Sequence, residues 1–165
     1  MAILKILQDG DPDLRKKSKP VEKINKRILT LLDDMLDTLA EANGYGLAAP
    51  QVGVLRRVFI IITEENELIE VINPEIIACE GKQTEVEGCL SSPEKYALID
   101  RPASVTVRYQ NRNGEYEERM GEGIMARAFC HETDHLNGIL CFDNAVKLLT
   151  ADEARELAEA KKEKE

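Results

Sequence analysis

The residue types best suited to chemistry lie in the segment CHETDHLNG, residues 130–138, which contains the only two histidines of the chain. His131 and His135 are four residues apart. Residues at that spacing share one face of an α-helix, so the two imidazoles can bind a single metal ion. Glu132 adjoins the first histidine, within reach of a water molecule on such an ion. Because two neutral imidazoles hold a divalent cation weakly, a downstream carboxylate or one of the cysteines must supply a third ligand.

Three other interpretations of this segment compete with a hydrolytic metal site. Histidines at this spacing also occur on ordinary solvated helices. An endopeptidase with an HExxH motif takes a third ligand downstream, often His or Glu. Only 30 residues follow His135 and none is histidine, which disfavours that class. A structural zinc site could be closed by Cys79 or Cys141, but such sites favour closely paired cysteines, and the chain has no C-x2–4-C pair.

Length and composition indicate an ordinary folded protein. At 165 residues, 43% of them apolar, the chain fits one domain with a substantial core. The net charge of −9 disfavours extensive nonspecific contact with nucleic acid phosphates or an anionic membrane, and we expect neither sequence-specific nucleic acid binding nor a membrane partner. The N-terminal MAILKILQDGD turns polar after seven residues, too soon for a signal peptide or a spanning helix. We therefore expect a cytoplasmic protein whose cysteines stay reduced or bind metal. These are Cys79, Cys89, Cys130 and Cys141.

The first half of the chain predicts one helix followed by strands. Apolar residues recur at steps of three and four from Val21 to Ala42, which indicates an amphipathic helix. The segment GYGLAAPQVG, residues 44–53, predicts a tight, largely apolar connection. The β-branched runs at 56–63 and 68–81 predict strands, separated by a turn at 64–66 and broken by another at Asn73-Pro74.

The second half predicts a hairpin and two helices. The segment 104–120 alternates, turns at Asn113-Gly114 and resumes at Tyr116. A helical period returns from 123 to 136 and places the two histidines in the last turns of that helix. Thr150 and Glu153 predict the start of a C-terminal helix over about 151–163. The expected fold is α+β: a single domain, 1–165, of short, mostly antiparallel strands around a central helix carrying the HExDH motif.

Two further segments change the weight of these alternatives. EGCLS, residues 87–91, holds Cys89 in a turn, and GYGLAAPQ, residues 44–51, ends its apolar run at Gln51. Taken alone, they indicate a buried thiol and a loop amide. Together with HETDH, in this order, the three blocks resemble the peptide deformylase family. The resemblance covers nearly the whole chain, from GDPDLRKKSKPV at 10–21 to CHETDHLNG.

The resemblance implies a reaction and a set of roles. The reaction is hydrolysis of the N-formyl group from the initiating methionine of a nascent polypeptide, with release of formate. Cys89, His131 and His135 would be the metal ligands, with a fourth position left for water. Glu132 would be the general acid and base. Gln51 and the backbone N–H of Leu90 would stabilise the oxygen that becomes negative, and Gly46 would offer main-chain contacts to the peptide.

The family resemblance also implies Fe²⁺ as the ion in the cell, with Ni²⁺, Co²⁺ or Zn²⁺ as substitutes. Imidazole and thiolate ligands alone would indicate zinc. In some relatives the terminal helix docks on the ribosome near the exit of new chains, although the mixed Glu and Lys composition here fits a solvated helix. The expected partners are thus the formyl-methionyl peptide and the ribosome, and the expected state is a monomer.

The substrate pocket would be formed by Tyr45, Ile124, Arg127 and Ala128, although Arg127 can equally face solvent. An aliphatic pocket suits the adaptable thioether of methionine. Tyr45 and Thr133 depart from the family pattern, which has a smaller aliphatic residue at the first position and an apolar residue at the second. Tyr45 either narrows the pocket or lies outward, and a buried Thr133 hydroxyl needs a partner.

Three charged residues are candidates for supporting the metal ligands. Metal-bound imidazoles usually donate their other N–H to an acceptor, and Glu87 and Asp134 can supply one. Asp134 near a helix end can also be a solvated charge. Arg101, beyond the cysteine block, is expected to pair with Glu87.

Overall fold

The structure is a computed structural model that describes residues 2–163. It contains three α-helices, α1 Lys26–Ala42, α2 Ile124–Leu136 and α3 Ala151–Glu163. Its strands are β1 Gly46–Ala48, β2 Val58–Ile62, β3 Leu68–Glu80, β4 Gln83–Cys89, β5 Ser92–Arg101, β6 Ser104–Gln110, β7 Tyr116–Glu122 and β8 Ala145–Leu149. Short 3-10 turns lie at Pro12–Arg15, Ala49–Val52 and Cys141–Asn144.

The strands form two antiparallel sheets. The larger has the order β1-β2-β3-β6-β7 and the smaller the order β4-β5-β8. Along β2, Phe59 packs into the cluster that holds Phe129 of α2, whereas Ile60 packs into the cluster that holds Leu32 and Met35 of α1. The larger sheet is therefore covered by α2 on one face and by α1 on the other. Burial on both faces explains why β2 is apolar throughout.

The predicted α+β fold, with antiparallel strands around the helix that carries the HExDH motif, is confirmed. The hairpin pairs Gln110 with Tyr116 around the predicted turn. The cap of α3 is reciprocal: the Glu153 backbone donates to Thr150 Oγ1 at 3.1 Å, and the Thr150 backbone donates to the Glu153 carboxylate at 3.2 Å. Within residues 2–163, the helices are too short or too polar to cross a membrane.

The first half of the chain differs in local detail from the predictions at three places. The first helix begins at Lys26 rather than near Val21, because the Asn25 side chain caps it by accepting from the Ile28 backbone at 3.2 Å. The connection at 44–53 contains β1 and a 3-10 turn. Asn73-Pro74 does not break the strand: β3 continues through a bulge in which Asn73 has a φ of 53°.

Candidate metal centre

Cys89, His131 and His135 bring one potential ligand atom each into a single cluster, all within 4.8 Å of one another. The β4–β5 hairpin supplies the thiol, because β4 ends at Cys89, which pairs with Ser92 across a two-residue turn. α2 supplies both imidazoles from one face of its last turns. Cys89 Sγ lies 3.3 Å from His135 Nε2, which lies 3.3 Å from His131 Nε2.

These two separations are close to those between the ligands of a tetrahedral metal site. Bond lengths of about 2.05 Å to nitrogen and about 2.3 Å to sulfur place tetrahedral ligands roughly 3.3 Å apart for two nitrogens and roughly 3.6 Å apart for nitrogen and sulfur. The separation between the two nitrogens matches the first value, and the separation between His135 Nε2 and the sulfur is 0.3 Å shorter than the second. Imidazole and thiolate are also the ligands that divalent transition metals prefer. The three residues can therefore hold such an ion.

Glu87 fixes the orientation of the His131 ring. Its carboxylate lies 3.1 Å from His131 Nδ1, so that nitrogen donates its proton and Nε2 turns its lone pair to the cluster. Arg101 donates two hydrogen bonds of 3.0 Å to the same carboxylate. Burial alone would raise the pKa of Glu87, but the hydrogen bonds from His131 and Arg101 outweigh it and lower this pKa to about 2. Glu87 therefore remains an ionised acceptor.

Asp134 does not contact a histidine. Its carboxylate accepts from Arg101 Nη1 at 2.7 Å. The expectation that Asp134 accepts directly from a ligand imidazole is thus wrong, and so is the alternative of a merely solvated charge. Asp134 is linked to His131 only through Arg101 and Glu87.

The two histidines differ in their surroundings. His135 is 1% exposed, and its Nδ1 has no hydrogen-bond partner among the residues described. Burial and the proximity of His131 lower the pKa of His135 well below its usual value, so this ring is neutral. Burial would also lower the pKa of His131, but the charge of Glu132 and the hydrogen bond with Cys89 outweigh it and raise this pKa. A proton on His131 therefore competes with a metal ion, and the ring presents the Nε2 lone pair to the cluster only in its neutral form.

Glu132 lies beside the cluster and is buried from solvent. It is 5% exposed, and Oε1 has no hydrogen-bond partner within the described part of the chain. Oε2 faces the Cα of Gly46, where an added Cβ would lie only 2.6 Å away. Burial raises the pKa of Glu132 to about 7. A carboxyl group with a pKa near neutrality can both accept and return a proton under ordinary conditions.

Gln51 lies in the 3-10 turn after β1, which holds it close to Cys89. Its Oε1 accepts from the Ala48 backbone at 2.9 Å, and its Nε2 donates to Ser91 Oγ at 3.1 Å. Nε2 also lies 3.6 Å from Cys89 Sγ. Ser91 was not singled out from the sequence, although it lies within the EGCLS block. Leu90 lies at the turn between β4 and β5, and its methyl group packs against Gly44.

A cavity of about 660 Å³ opens beside the cluster. Its lining includes Tyr45, Ile124, Arg127 and Ala128, together with Glu132 and His131. Tyr45 is 67% exposed, which agrees with the outward alternative for its ring. Arg127 does not point freely into solvent: its Nη1 donates to Gln83 Oε1 at 2.9 Å. The four residues expected to form a substrate pocket therefore do border one space.

The structure also tests the expectations for Thr133 and for the four cysteines. Thr133 is buried, and its Oγ1 finds no hydrogen-bond partner among residues 2–163, so the hydroxyl lacks the partner it was expected to need. All four cysteines are free thiols. The ligand cluster within the described residues includes neither Cys79, which is exposed, nor Cys141. The structural zinc site closed by either of those residues was therefore a wrong alternative.

An HExxH helix that meets a cysteine from a hairpin, beside a buried glutamate, defines the class of hydrolases that act through a bound metal ion. Comparison with known proteins narrows that class. Residues 3–151 match the family model described as polypeptide deformylase. The chain belongs to the polypeptide deformylase family, whose members remove the formyl group from N-terminal formyl-methionine.

Individual relatives agree with the family model. The chain is 56% identical to a peptide deformylase of Alkaliphilus metalliredigens over 147 residues, which cover 89% of this chain and 99% of the relative. The crystal structure of peptide deformylase from Thermotoga maritima matches with a TM-score of 0.85 and 42% identity, covering 88% of this chain and 99% of that one. A Met-Ala-Ser-bound peptide deformylase from Acinetobacter baumannii matches with a TM-score of 0.82 and 32% identity, covering 87% and 98%.

Proposed function

We propose that Cys89, His131 and His135 hold one divalent metal ion and that Glu132 transfers protons during removal of the N-formyl group from formyl-methionyl peptides. One observation carries this assignment: three ligand atoms converge within 4.8 Å beside a buried carboxyl group. Glu87 supports it by accepting the proton of His131 Nδ1, which leaves Nε2 as a ligand.

Proton transfer by Glu132 follows from its position and pKa. A divalent ion at the three ligand atoms would acidify water and polarise the formyl carbonyl. Glu132 takes a proton from a water molecule while the oxygen of that water attacks the formyl carbon. When the bond between carbon and nitrogen breaks, Glu132 delivers that proton to the departing amine, and formate is released. A proton-transfer group of this kind contributes about 10²–10⁴-fold to the rate.

Gln51 and the backbone N–H of Leu90 stabilise the negative charge that develops on the formyl oxygen. Gln51 Nε2 carries two hydrogens, and Ser91 Oγ accepts only one of them. The second is directed at Cys89 Sγ, 3.6 Å away, and would turn to the formyl oxygen when substrate binds. The bond from Ala48 to Gln51 Oε1 fixes the amide so that Nε2 faces Cys89. One donor of this type contributes roughly 10²–10³-fold to the rate.

The peptide binds in extended form along β1. This strand lies at the edge of the larger sheet, with β2 on its other side, so an incoming strand can add to it through main-chain hydrogen bonds. Gly46 offers such groups beside Glu132. The methionine side chain then enters the cavity bordered by Ile124 and Ala128. The Met-Ala-Ser-bound Acinetobacter relative supports a peptide that begins with methionine as the ligand.

We assign Fe²⁺ as the ion in the cell, with Zn²⁺, Ni²⁺ and Co²⁺ as substitutes that the same ligands accept. A thiolate bound to Fe²⁺ is prone to oxidation, which makes activity sensitive to oxygen. Anaerobic purification followed by elemental analysis should give about one iron per chain, and formate release should decay on exposure to air. Stoichiometric zinc in the anaerobic protein would contradict the iron assignment.

The remaining assignments concern the cellular setting. We propose that residues 1–165 form one catalytic domain that acts as a monomer in the cytoplasm, where nascent chains emerge from the ribosome. α3 offers a surface for docking there, because only Ala154 of that helix is buried. A chain ending at Thr150 keeps β8 paired with β5 and removes α3. Unchanged co-sedimentation of that chain with ribosomes would contradict docking through α3, and sedimentation velocity measures the oligomeric state.

Glu132→Gln tests the proton-transfer assignment. It keeps the shape of the side chain and removes the basic oxygen, so the metal content should stay at one ion per chain while formate release falls by about 10²–10⁴-fold. Glu159→Gln, the same change on an exposed position of α3, should leave both unchanged. An unaltered rate in Glu132→Gln would remove Glu132 from the mechanism. Casein should remain uncut by the native enzyme.

A further inference from the structure

The cavity beside Glu132 extends along α2 towards the start of that helix. The helical residues that border it run from Glu132 back to Ile124, which is about 12 Å at 1.5 Å per residue. β4 borders the same space from Cys89 back to Val86. The end of the cavity that is remote from the ligand cluster therefore lies at the start of α2, beside Val86 of β4.

Arg127, which borders the cavity near that remote end, is held by a hydrogen bond. Arg127 Nη1 donates to Gln83 Oε1 at 2.9 Å. Gln83 is the first residue of β4, and its Nε2 donates to two backbone carbonyls, Pro102 O at 2.9 Å and Gly123 O at 2.9 Å. Because both hydrogens of Nε2 are used, the amide is held with its oxygen towards Arg127.

A second cavity lies on the other side of this bond. It has a volume of about 540 Å³ and is bordered by Gln83, Gly123 and Ser104. Arg127 borders the first cavity and Gln83 the second. The hydrogen bond between the two side chains therefore lies between the two spaces.

We propose that the Arg127–Gln83 hydrogen bond forms the end wall of the pocket for the N-terminal side chain, and so sets the longest unbranched side chain that the enzyme deformylates efficiently. The proposal rests on the assigned entry of methionine between Ile124 and Ala128. Gln83 touches no substrate; it is a positioning residue that holds Arg127 across the pocket.

Gln83→Ala removes the wall and joins the two cavities. Formyl peptides beginning with 2-aminooctanoate, whose side chain is two heavy atoms longer than that of methionine, report the change. The ratio of kcat/KM for this peptide to kcat/KM for the formyl-Met peptide should rise by roughly 15-fold, from about 0.8 kcal/mol for each of two newly buried methylene groups. Arg127→Met should raise the same ratio.

Gln83→Glu tests whether the effect comes from the hydrogen bond to Arg127 or only from a loss of stability. A carboxylate still accepts from Arg127 but cannot donate to Pro102 O and Gly123 O. If the hydrogen bond forms the wall, Gln83→Glu should keep the native ratio of the two kcat/KM values. It should do so even if its melting temperature falls as far as that of Gln83→Ala. An unchanged ratio in Gln83→Ala, or an equal rise in Gln83→Glu and Gln83→Ala, would overturn the proposal. The native rate on the formyl-Met peptide, measured in the same assay, tests the deformylase assignment separately.

Discussion

Gly46→Ala should displace Glu132 without touching the ligand cluster. A Cβ built on Gly46 lies 2.6 Å from Glu132 Oε2 and 3.1 Å from its Cδ, whereas ordinary contacts of a Cβ begin at 3.4 Å. The carboxylate must therefore withdraw by about 0.8 Å or the two elements must separate. Glu132 is 5% exposed, so it has little free space into which to withdraw.

The expected loss of activity follows from that displacement. Reacting groups work within about 0.5 Å of their productive positions, and a misplacement of about 1 Å can reduce a rate by roughly 10²-fold. The rate constant for formate release should thus fall by about 30- to 100-fold. The strain should also lower the free energy of unfolding by about 1–3 kcal/mol. Metal content should remain at one ion per chain, because the contacts of the added Cβ are with Glu132.

Formate release from a formyl-Met peptide, coupled to formate oxidation, measures the first effect, and elemental analysis measures metal content. Gly44→Ala is the matched control: its Cβ would lie 2.8 Å from Leu90 Cδ1 and 2.9 Å from Leu39 Cδ1, which are the movable ends of flexible side chains. Its rate should fall by no more than a few-fold.

A double-mutant cycle decides whether the effect passes through the carboxylate. Glu132→Asp shortens the side chain by one methylene group and withdraws its oxygens from Gly46. In that background, Gly46→Ala should reduce the rate by far less than in the native chain. An equal reduction in both backgrounds would refute the idea that Gly46 is glycine because Glu132 occupies the space of its Cβ.

Two further predictions concern stability. Thr133→Val should raise the free energy of unfolding by about 1 kcal/mol with little change in rate, because the Thr133 hydroxyl is buried without a partner among the residues described. Urea titration measures this free energy, and a destabilised variant would contradict the prediction. The pKa of Glu87 is lowered from 4.5 to about 2, so its contribution to stability is complete above about pH 5 and is lost as the pH falls towards 2. Between pH 6 and pH 3 the native protein should lose about 2 kcal/mol more than Glu87→Gln; equal losses would contradict the lowered pKa.

The elements that sequence predicted well are those specified by nearby residues. The hairpin β6–β7 follows from alternation around Asn113-Gly114, and α2 follows from a helical period over 123–136. In both cases the residues that determine the turn or the helix lie within a few positions of it. The reciprocal cap at Thr150 and Glu153 belongs to the same group.

The bulge at Asn73 could not be read from nearby residues. Asn-Pro ordinarily indicates a turn, yet β3 continues because the Asn73 side chain is bound to a distant segment. Its Oδ1 accepts from the Val21 backbone at 2.8 Å, and its Nδ2 donates to the Val21 carbonyl at 2.8 Å. Those 52 residues of separation lie outside any local pattern.

The candidate site likewise has features that nearby residues specify and features that depend on packing between distant segments. The spacing of His131 and His135 specifies a shared helical face, so their convergence was predictable from α2 alone. The pKa of Glu132, raised to about 7, depends on burial against β1 and so on how two elements pack. The link between Arg127 and Gln83 likewise joins positions 44 residues apart. Motifs thus specify which groups are present, and packing specifies their protonation and reach.

Arg101 shows how packing supplies what the motif lacks. Glu87 can orient His131 only as an ionised acceptor, yet burial favours its neutral form. The hydrogen bonds from His131 and Arg101 keep it charged, and Asp134 in turn holds the guanidinium of Arg101 from α2, one position before His135. A contact chain therefore leaves α2 at Asp134, passes through β5 and β4, and returns to α2 at His131. Because both ends lie on the same helix, any shift of the hairpin that carries Cys89 strains this chain, so the network that orients the imidazole also holds the thiol in register with it.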